Sequence, residues 1–207
     1  MTGKFITVEG IEGAGKTTCM QVVTEVIEHQ GINAIHTREP GGTDLGEDLR
    51  NLLLGHKHTG MSDDAELLMM FAARAEHIAQ KIQPALDDGK WVLCDRFTDA
   101  TYAYQGYGRG IPLEKIAGLE NWVQGELRPD LTLLMDLPVE VGMERAGKRS
   151  APDRFESEAR DFFERIRQGY LSIAAEQPSR VKVIDASQDL PDVQAQVRVA
   201  IEDFVNA

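Results

Sequence analysis

The chain has 207 residues, 42% of them hydrophobic and 27% charged, with a formal net charge of −12. That length suits one compact domain over residues 1–207 with a full three-layer core, and no apolar run approaches the ~20 residues a membrane span needs. The acidic balance argues against DNA or RNA as a partner, because nucleic-acid affinity rests on Lys and Arg neutralising phosphates, whereas a small anionic ligand needs only a local cluster of cations.

Taken in chain order, short apolar runs suited to buried parallel strands alternate with stretches of helical period, the pattern of repeated βαβ units. Strands are expected at Lys4–Glu9, Asn33–Arg38, Trp91–Asp95, Leu131–Asp136 and Val181–Asp185. Helices are expected at Lys16–His29, Asp44–Leu54, Asp64–Leu86, Thr98–Tyr104, Leu113–Gly125, Val139–Gly147, Ser157–Glu176 and Leu190–Val205, with Gly31 and Gly89 stopping two of them. The fold class that follows is α/β, a five-stranded parallel sheet flanked by helices in three layers. Ligands of such open sheets bind beyond the carboxyl ends of the strands. Met1 to Ile6 leads into the first strand without the succession of a signal peptide, so a cytoplasmic location is expected. Cys19 and Cys94 lie far apart without metal-ligand spacing and read as buried thiols, and His56 and His58 read as loop residues.

After the first expected strand comes Gly10-Ile-Glu-Gly-Ala-Gly15-Lys16-Thr17, a complete GxxxxGK[ST] pattern between a strand and a helix. Glycines at Gly10, Gly13 and Gly15 let backbone N–H groups turn inward around a phosphate, Lys16 can reach the β- and γ-phosphates, and the Thr17 hydroxyl can ligate Mg²⁺. Such a phosphate-binding loop fits a P-loop NTPase fold and an ATP site that includes Ala14 and Thr18, but does not separate an enzyme from a switch or motor. Neither an NKxD guanine reader nor an LSGGQ string is present. A second set of cations and polar groups follows the other strands, which suggests a second anionic substrate. Asp95, at the end of an apolar strand, suits support of Mg²⁺. Residues 147–158, GKRSAPDRFESE, are rich in cations and poor in apolar side chains, as expected of a basic flap joining two helices.

Four segments in order, GIEGAGKTT at the loop, Arg38-Glu-Pro-Gly-Gly-Thr43 with Leu45-Gly-Glu47 and Leu49-Arg50, Asp95-Arg96-Phe97 with Thr101 and Gln105, and Asp185-Ala-Ser-Gln188, resemble bacterial thymidylate kinases. The resemblance covers essentially the whole chain and implies transfer of the γ-phosphoryl group of ATP, with Mg²⁺, to dTMP, within dTTP synthesis. It implies that Glu12 meets the 3′-hydroxyl of dTMP and that Arg38, Arg96 and Arg50 surround its phosphate, a task suited to the guanidinium fork. It also implies that Phe71 stacks on the pyrimidine while Arg74, three residues on, donates to its carbonyl edge. Thr101 and Gln105 would close the base and sugar pocket, and Pro40 would pack beside it.

Gly13 stands where some thymidylate kinases place an arginine, so the flap is expected to supply the transition-state cation, Arg149 first and Arg154 second. By resemblance Arg145 lies over the adenine, edged by backbone of Ala186 and Ser187, and the chain forms a homodimer with the helix from Asp64 to Leu86 contributing. Another P-loop kinase acting on dUMP, CMP or a deoxynucleoside stands as the alternative, with an ATPase or switch behind it.

Overall fold

The computed structural model describes residues 3–58, 60–147, 153–156 and 158–206. Its centre is a sheet of five parallel strands, β1 Phe5–Glu9, β2 Ala34–Arg38, β3 Trp91–Asp95, β4 Leu131–Asp136 and β5 Val181–Asp185, in the order β2-β3-β1-β4-β5. β1 and β4 are buried over nearly their whole lengths, while the edge strands β2 and β5 each expose some of their residues. Both faces of a parallel sheet are covered by its crossover helices, which is why the central strands read as continuous apolar runs.

The helices are α1 Lys16–His29, α2 Asp44–Leu54, α3 Asp63–His77, α4 Gln83–Asp87, α5 Thr98–Thr101, α6 Leu113–Gln124, α7 Val139–Gly147, α8 Arg160–Glu176 and α9 Leu190–Asn206. Thr43 caps α2 by accepting from the Gly46 N–H, and Ser62 caps α3 by accepting from the Ala65 N–H. The main core joins strands β1 and β4 to α1, α8 and α9 through Val8, Val23, Leu133, Ile166 and Val197, among others. None of the described helices is long and apolar enough to cross a membrane.

Three element expectations change. The helix expected over Asp64–Leu86 is interrupted by a π turn at Ile78–Ile82, which ends two residues before Pro84. Proline supplies no N–H to the preceding turn, and a widened turn absorbs the break without ending the helix. A second π turn at Tyr102–Gly108 extends the helix that begins at Thr98 beyond the expected Tyr104. The helix expected from Ser157 starts at Arg160, because Ala159 is still extended with ψ 155°.

The sheet order sets the carboxyl ends of β1 and β3 side by side, with Val8 level with Asp95. The loop after Glu9 and the turn after Asp95 therefore share one edge, which is where such sheets bind ligands.

Candidate active site

The phosphate-binding loop is shaped by three glycines at positive φ, Gly10 at 136°, Gly13 at 76° and Gly15 at 89°. A Cβ on Gly13 would meet the Gly142 carbonyl oxygen of α7 at 2.0 Å, and a Cβ on Gly142 would meet the Glu12 carbonyl oxygen at 2.7 Å. The loop and α7 are packed backbone to backbone, so an arginine at Gly13 requires α7 to move. Lys16, at the start of α1, donates from Nζ to the carbonyls of Gly10 and Ile11, each at 3.1 Å. Burial, with Arg96 nearby, pushes the Lys16 ammonium down to about 8 against the opposing pull of Asp95 and Glu12.

Beside the loop, one cleft gathers Gly13, Ala14, Gly15, Thr17, Thr18 and Arg145 with Ala186, Gln188, Leu190 and Val193. Arg145 donates from Nη1 to the Ala186 carbonyl at 3.0 Å. The Ala186 N–H is bound to the Asp136 carbonyl and the Ser187 N–H to Asp185 Oδ1, so the two N–H groups of the backbone expected to edge the adenine are engaged within the protein.

A second cavity lies across the β1 and β3 ends. Glu12, Arg38, Pro40, Arg50, Arg74, Asp95, Arg96, Thr101 and Gln105 all line it, which brings together residues spread over more than ninety positions of chain. Arg38 pairs with Glu47 Oε2 at 2.8 Å, and Arg50 donates to the Pro40 carbonyl at 2.8 Å. Burial and the charges of Arg38 and Arg96 lower the Arg50 pKa, the signature of cations crowded into one place. Arg96 donates to Glu12 Oε1 at 2.7 Å and lies over the Tyr104 ring, whose hydroxyl also donates to Glu12. Burial alone would raise the Glu12 pKa, but Arg96, Lys16 and the Tyr104 hydroxyl together hold it below the ordinary carboxylate value.

Arg74 is almost fully buried, its Nε donating to Glu39 Oε2 at 2.8 Å and its Nη2 to Thr101 Oγ1 at 2.9 Å. Glu39 in turn receives His77 Nδ1 at 2.9 Å, and His77 Nε2 meets the Thr37 hydroxyl at 2.6 Å. Gln105 Nε2 donates to Glu66 Oε1 at 2.9 Å, which fixes the amide with its oxygen free. Among the described residues, the buried side-chain atoms without a hydrogen-bond partner are Arg74 Nη1, Gln105 Oε1 and Asp95 Oδ1. All three belong to residues lining this cavity.

Two expected residues stand elsewhere. Phe71 is 2% exposed and packs with Leu67, Ile111 and Ile116, away from the cavity wall; its neighbour Met70 lines the cavity instead. The reason is helical phase: positions three and four before Arg74 both lie near its face, and packing of α3 on α6 takes the larger ring inward. Arg154 is also withdrawn, with Nε on the Leu53 carbonyl at 2.7 Å and Nη2 on Glu66 Oε2 at 2.5 Å. Its neighbours Asp153 and Phe155 line the cavity. Arg149 lies outside the described residues, as do Lys148, Ser150, Ala151, Pro152 and Ser157. Sequence reasoning missed Tyr104, Glu39 and Met70; Tyr104 was signalled only by lying one turn after Thr101.

The family model for thymidylate kinase matches residues 8–197. A thymidylate kinase of Alkalilimnicola ehrlichii is 54% identical over 204 residues, covering 98% of this chain and 94% of the relative. One from Ectopseudomonas mendocina is 56% identical over 207 residues, covering 100% of this chain and 99% of its own length. The crystal structure of thymidylate kinase from Ehrlichia chaffeensis matches with a TM-score of 0.77 at 35% identity, covering 99% of both chains. With cavity, phosphate-binding loop and full-length likeness in agreement, the chain belongs to the thymidylate kinase family.

Proposed function

We propose that this enzyme transfers the γ-phosphoryl group of ATP to the 5′-phosphate of dTMP, with the donor in the cleft beside the phosphate-binding loop and the acceptor in the cavity beyond β1 and β3. The observation that carries the reading is the pair of buried, unpartnered atoms Arg74 Nη1 and Gln105 Oε1, both on residues lining that cavity. A free donor and a free acceptor in one cavity complement a base that offers a carbonyl oxygen next to an N–H, as thymine does at O4 and N3. Cytosine presents the reverse pattern there and would leave both protein atoms unpaired, a penalty of roughly 1–3 kcal/mol for each.

Arg38, Arg50 and Arg96 supply charge for the acceptor phosphate, with Glu12 placed for the sugar. The acceptor phosphate has a second pKa near ~6 and is largely a dianion at neutral pH, so no general base is needed. Catalysis then rests on in-line positioning and charge neutralisation by Lys16, Arg96 and Arg149 of the flap. In the bound state phosphate oxygens replace the two loop carbonyls that hold Lys16.

Thr17 Oγ1 at the first turn of α1 and the orphaned Asp95 Oδ1 are hard oxygen donors that fit Mg²⁺. When bound, that ion neutralises charge on the β- and γ-phosphates. Among the described residues no cluster of three acidic, His or Cys side chains could cage a metal, in keeping with an ion held mostly by phosphate and water. The free thiols of Cys19 and Cys94 suit a reducing cytoplasm, and exposed Leu68 on α3 and Trp122 on α6 suit a homodimer contact.

An assay coupled to ADP release, run with no acceptor, dTMP, dUMP and dCMP, tests the reading. ADP should appear with dTMP, more slowly with dUMP because a methyl contact discriminates by only ~1–3 kcal/mol, and scarcely with dCMP. Acceptor-independent ADP release, or equal rates with dCMP, would refute it.

A further inference from the structure

Arg96 is the one described residue other than glycine at positive φ, 68°, a region that a side chain with a Cβ occupies only where its surroundings hold it. Three hydrogen bonds hold this one. The Arg96 N–H donates to the Val8 carbonyl at 3.0 Å, the Cys94 thiol donates to the Arg96 carbonyl at 3.0 Å, and the next N–H, of Phe97, donates to Glu9 Oε1 at 2.7 Å. Glu9 is fully buried at the last position of β1, and its other oxygen accepts from the Tyr170 hydroxyl on α8 at 2.8 Å. A carboxylate in this position is costly unless it is bonded on both oxygens, and the two donors that bond it come from the turn carrying Arg96 and from α8, the helix that follows the flap.

We infer that Glu9 is a positioning residue for phosphoryl transfer: by bridging the Phe97 N–H and the Tyr170 hydroxyl it locks the left-handed turn at Arg96, and so aims the Arg96 guanidinium at the acceptor phosphate. The inference rests on the function proposed above. Release of the Phe97 N–H lets Arg96 relax toward negative φ, which swings its guanidinium away from Glu12 and the Tyr104 ring. Arg96 then remains a cation near the cavity, no longer in the place where charge is transferred. Asp99, Arg96, Tyr170, Lys16 and Cys94 are the ionisable groups that interact with Glu9, and burial with the Asp99 charge favours its protonated form. Both protonation states leave Oε1 free to accept from Phe97, so the role is geometric.

The test is a double-mutant cycle between Glu9→Ala and Arg96→Ala in the full-length enzyme, read by steady-state kinetics in both substrates. Glu9→Ala should lower kcat on the order of 100-fold, the scale of a misplaced transition-state group, with KM for ATP within about twofold of wild type because the ATP cleft is untouched. Glu9→Gln retains an acceptor for Phe97 and should recover roughly tenfold or more of that loss. The doubly substituted enzyme should be no slower than Arg96→Ala alone, a non-additivity that a general loss of packing does not produce. Multiplied losses in the double mutant would overturn the inference. If Glu9→Ala fails to fold, Tyr170→Phe replaces it in the same cycle with a smaller expected loss of about threefold, and an unchanged kcat there overturns it equally. Since wild-type turnover of dTMP is measured alongside, failure of the coupling in an enzyme that phosphorylates dTMP counts against Glu9 alone.

Discussion

Met70 and Phe71 are adjacent in the chain and should separate cleanly in experiment. Phe71 is 2% exposed among Leu67, Ile111 and Ile116, and its ring lies 4.9 Å from Arg74 Cζ. Truncation of such a ring costs about 3–5 kcal/mol, which for a chain of this size lowers Tm by roughly 6–20 °C. Arg74 keeps its bonds to Glu39 and Thr101, so Phe71→Ala should leave KM for dTMP within about threefold of wild type. Met70 is half-buried on the cavity wall. Loss of its contact with a bound base is worth about 1–1.5 kcal/mol, so Met70→Ala should raise KM for dTMP roughly 5–12-fold and spare KM for ATP. Thermal melts of both variants, with steady-state kinetics in each substrate, decide the matter; Phe71→Leu gives a milder version should the alanine variant unfold. A tenfold rise in KM for dTMP on Phe71 substitution with Tm unchanged would put the phenyl ring against the base and refute the assignment.

Further outcomes follow from the same geometry. Glu66 is 1% exposed and receives Arg154, Arg109 and Gln105; Glu66→Gln leaves Arg154 buried without its counter-charge and should cost about 3 kcal/mol, and a loss under about 1 kcal/mol by denaturant titration would contradict it. Lys16→Ala removes only two bonds to loop carbonyls, so it should lower kcat by at least about 100-fold while Tm stays within ~3 °C; retained turnover would remove Lys16 from the mechanism. Burial and the Asp99 charge push the Glu9 carboxyl up from 4.5 to about 8, so the folded state binds that proton more tightly than the unfolded chain. The stability this contributes is fully present below pH ~4.5 and is lost as pH rises through about 8. Between pH 6 and 9, Tm of the wild type should therefore fall relative to Glu9→Gln, and parallel curves would contradict the shift.

What could be read directly from the sequence is chemistry carried by neighbours in the chain. The run Gly10–Thr17 is contiguous, and β3 and β4 are apolar runs closed by Asp95 and Asp136, so the loop and strand ends declare themselves. Arg38 and Arg96 stand at strand ends, where ligands gather, whereas Gln105, inside a helical turn well past β3, is marked only by the family resemblance. The choice between Met70 and Phe71 could not be read, because both positions share the Arg74 face and only the packing of α3 on α6 selects between them. The acids that orient the site were hidden for a different reason. Glu9, Glu39 and Glu66 are 0%, 6% and 1% exposed, yet in a chain with 34 acidic residues nothing distinguishes them from acids at the surface. Their partners come from distant elements, as with Glu9 and Tyr170, 161 positions apart. The same logic runs through Glu39 and Glu9: a guanidinium that must meet a ligand keeps some of its donors free only if a buried carboxylate fixes it from behind. Glu39 does this for Arg74, whose Nη1 alone is left unpaired, and Glu9 does it one step removed, through the backbone that carries Arg96. An acidic chain can therefore build an anion site, because its buried acids hold the arginines in place without occupying all of them.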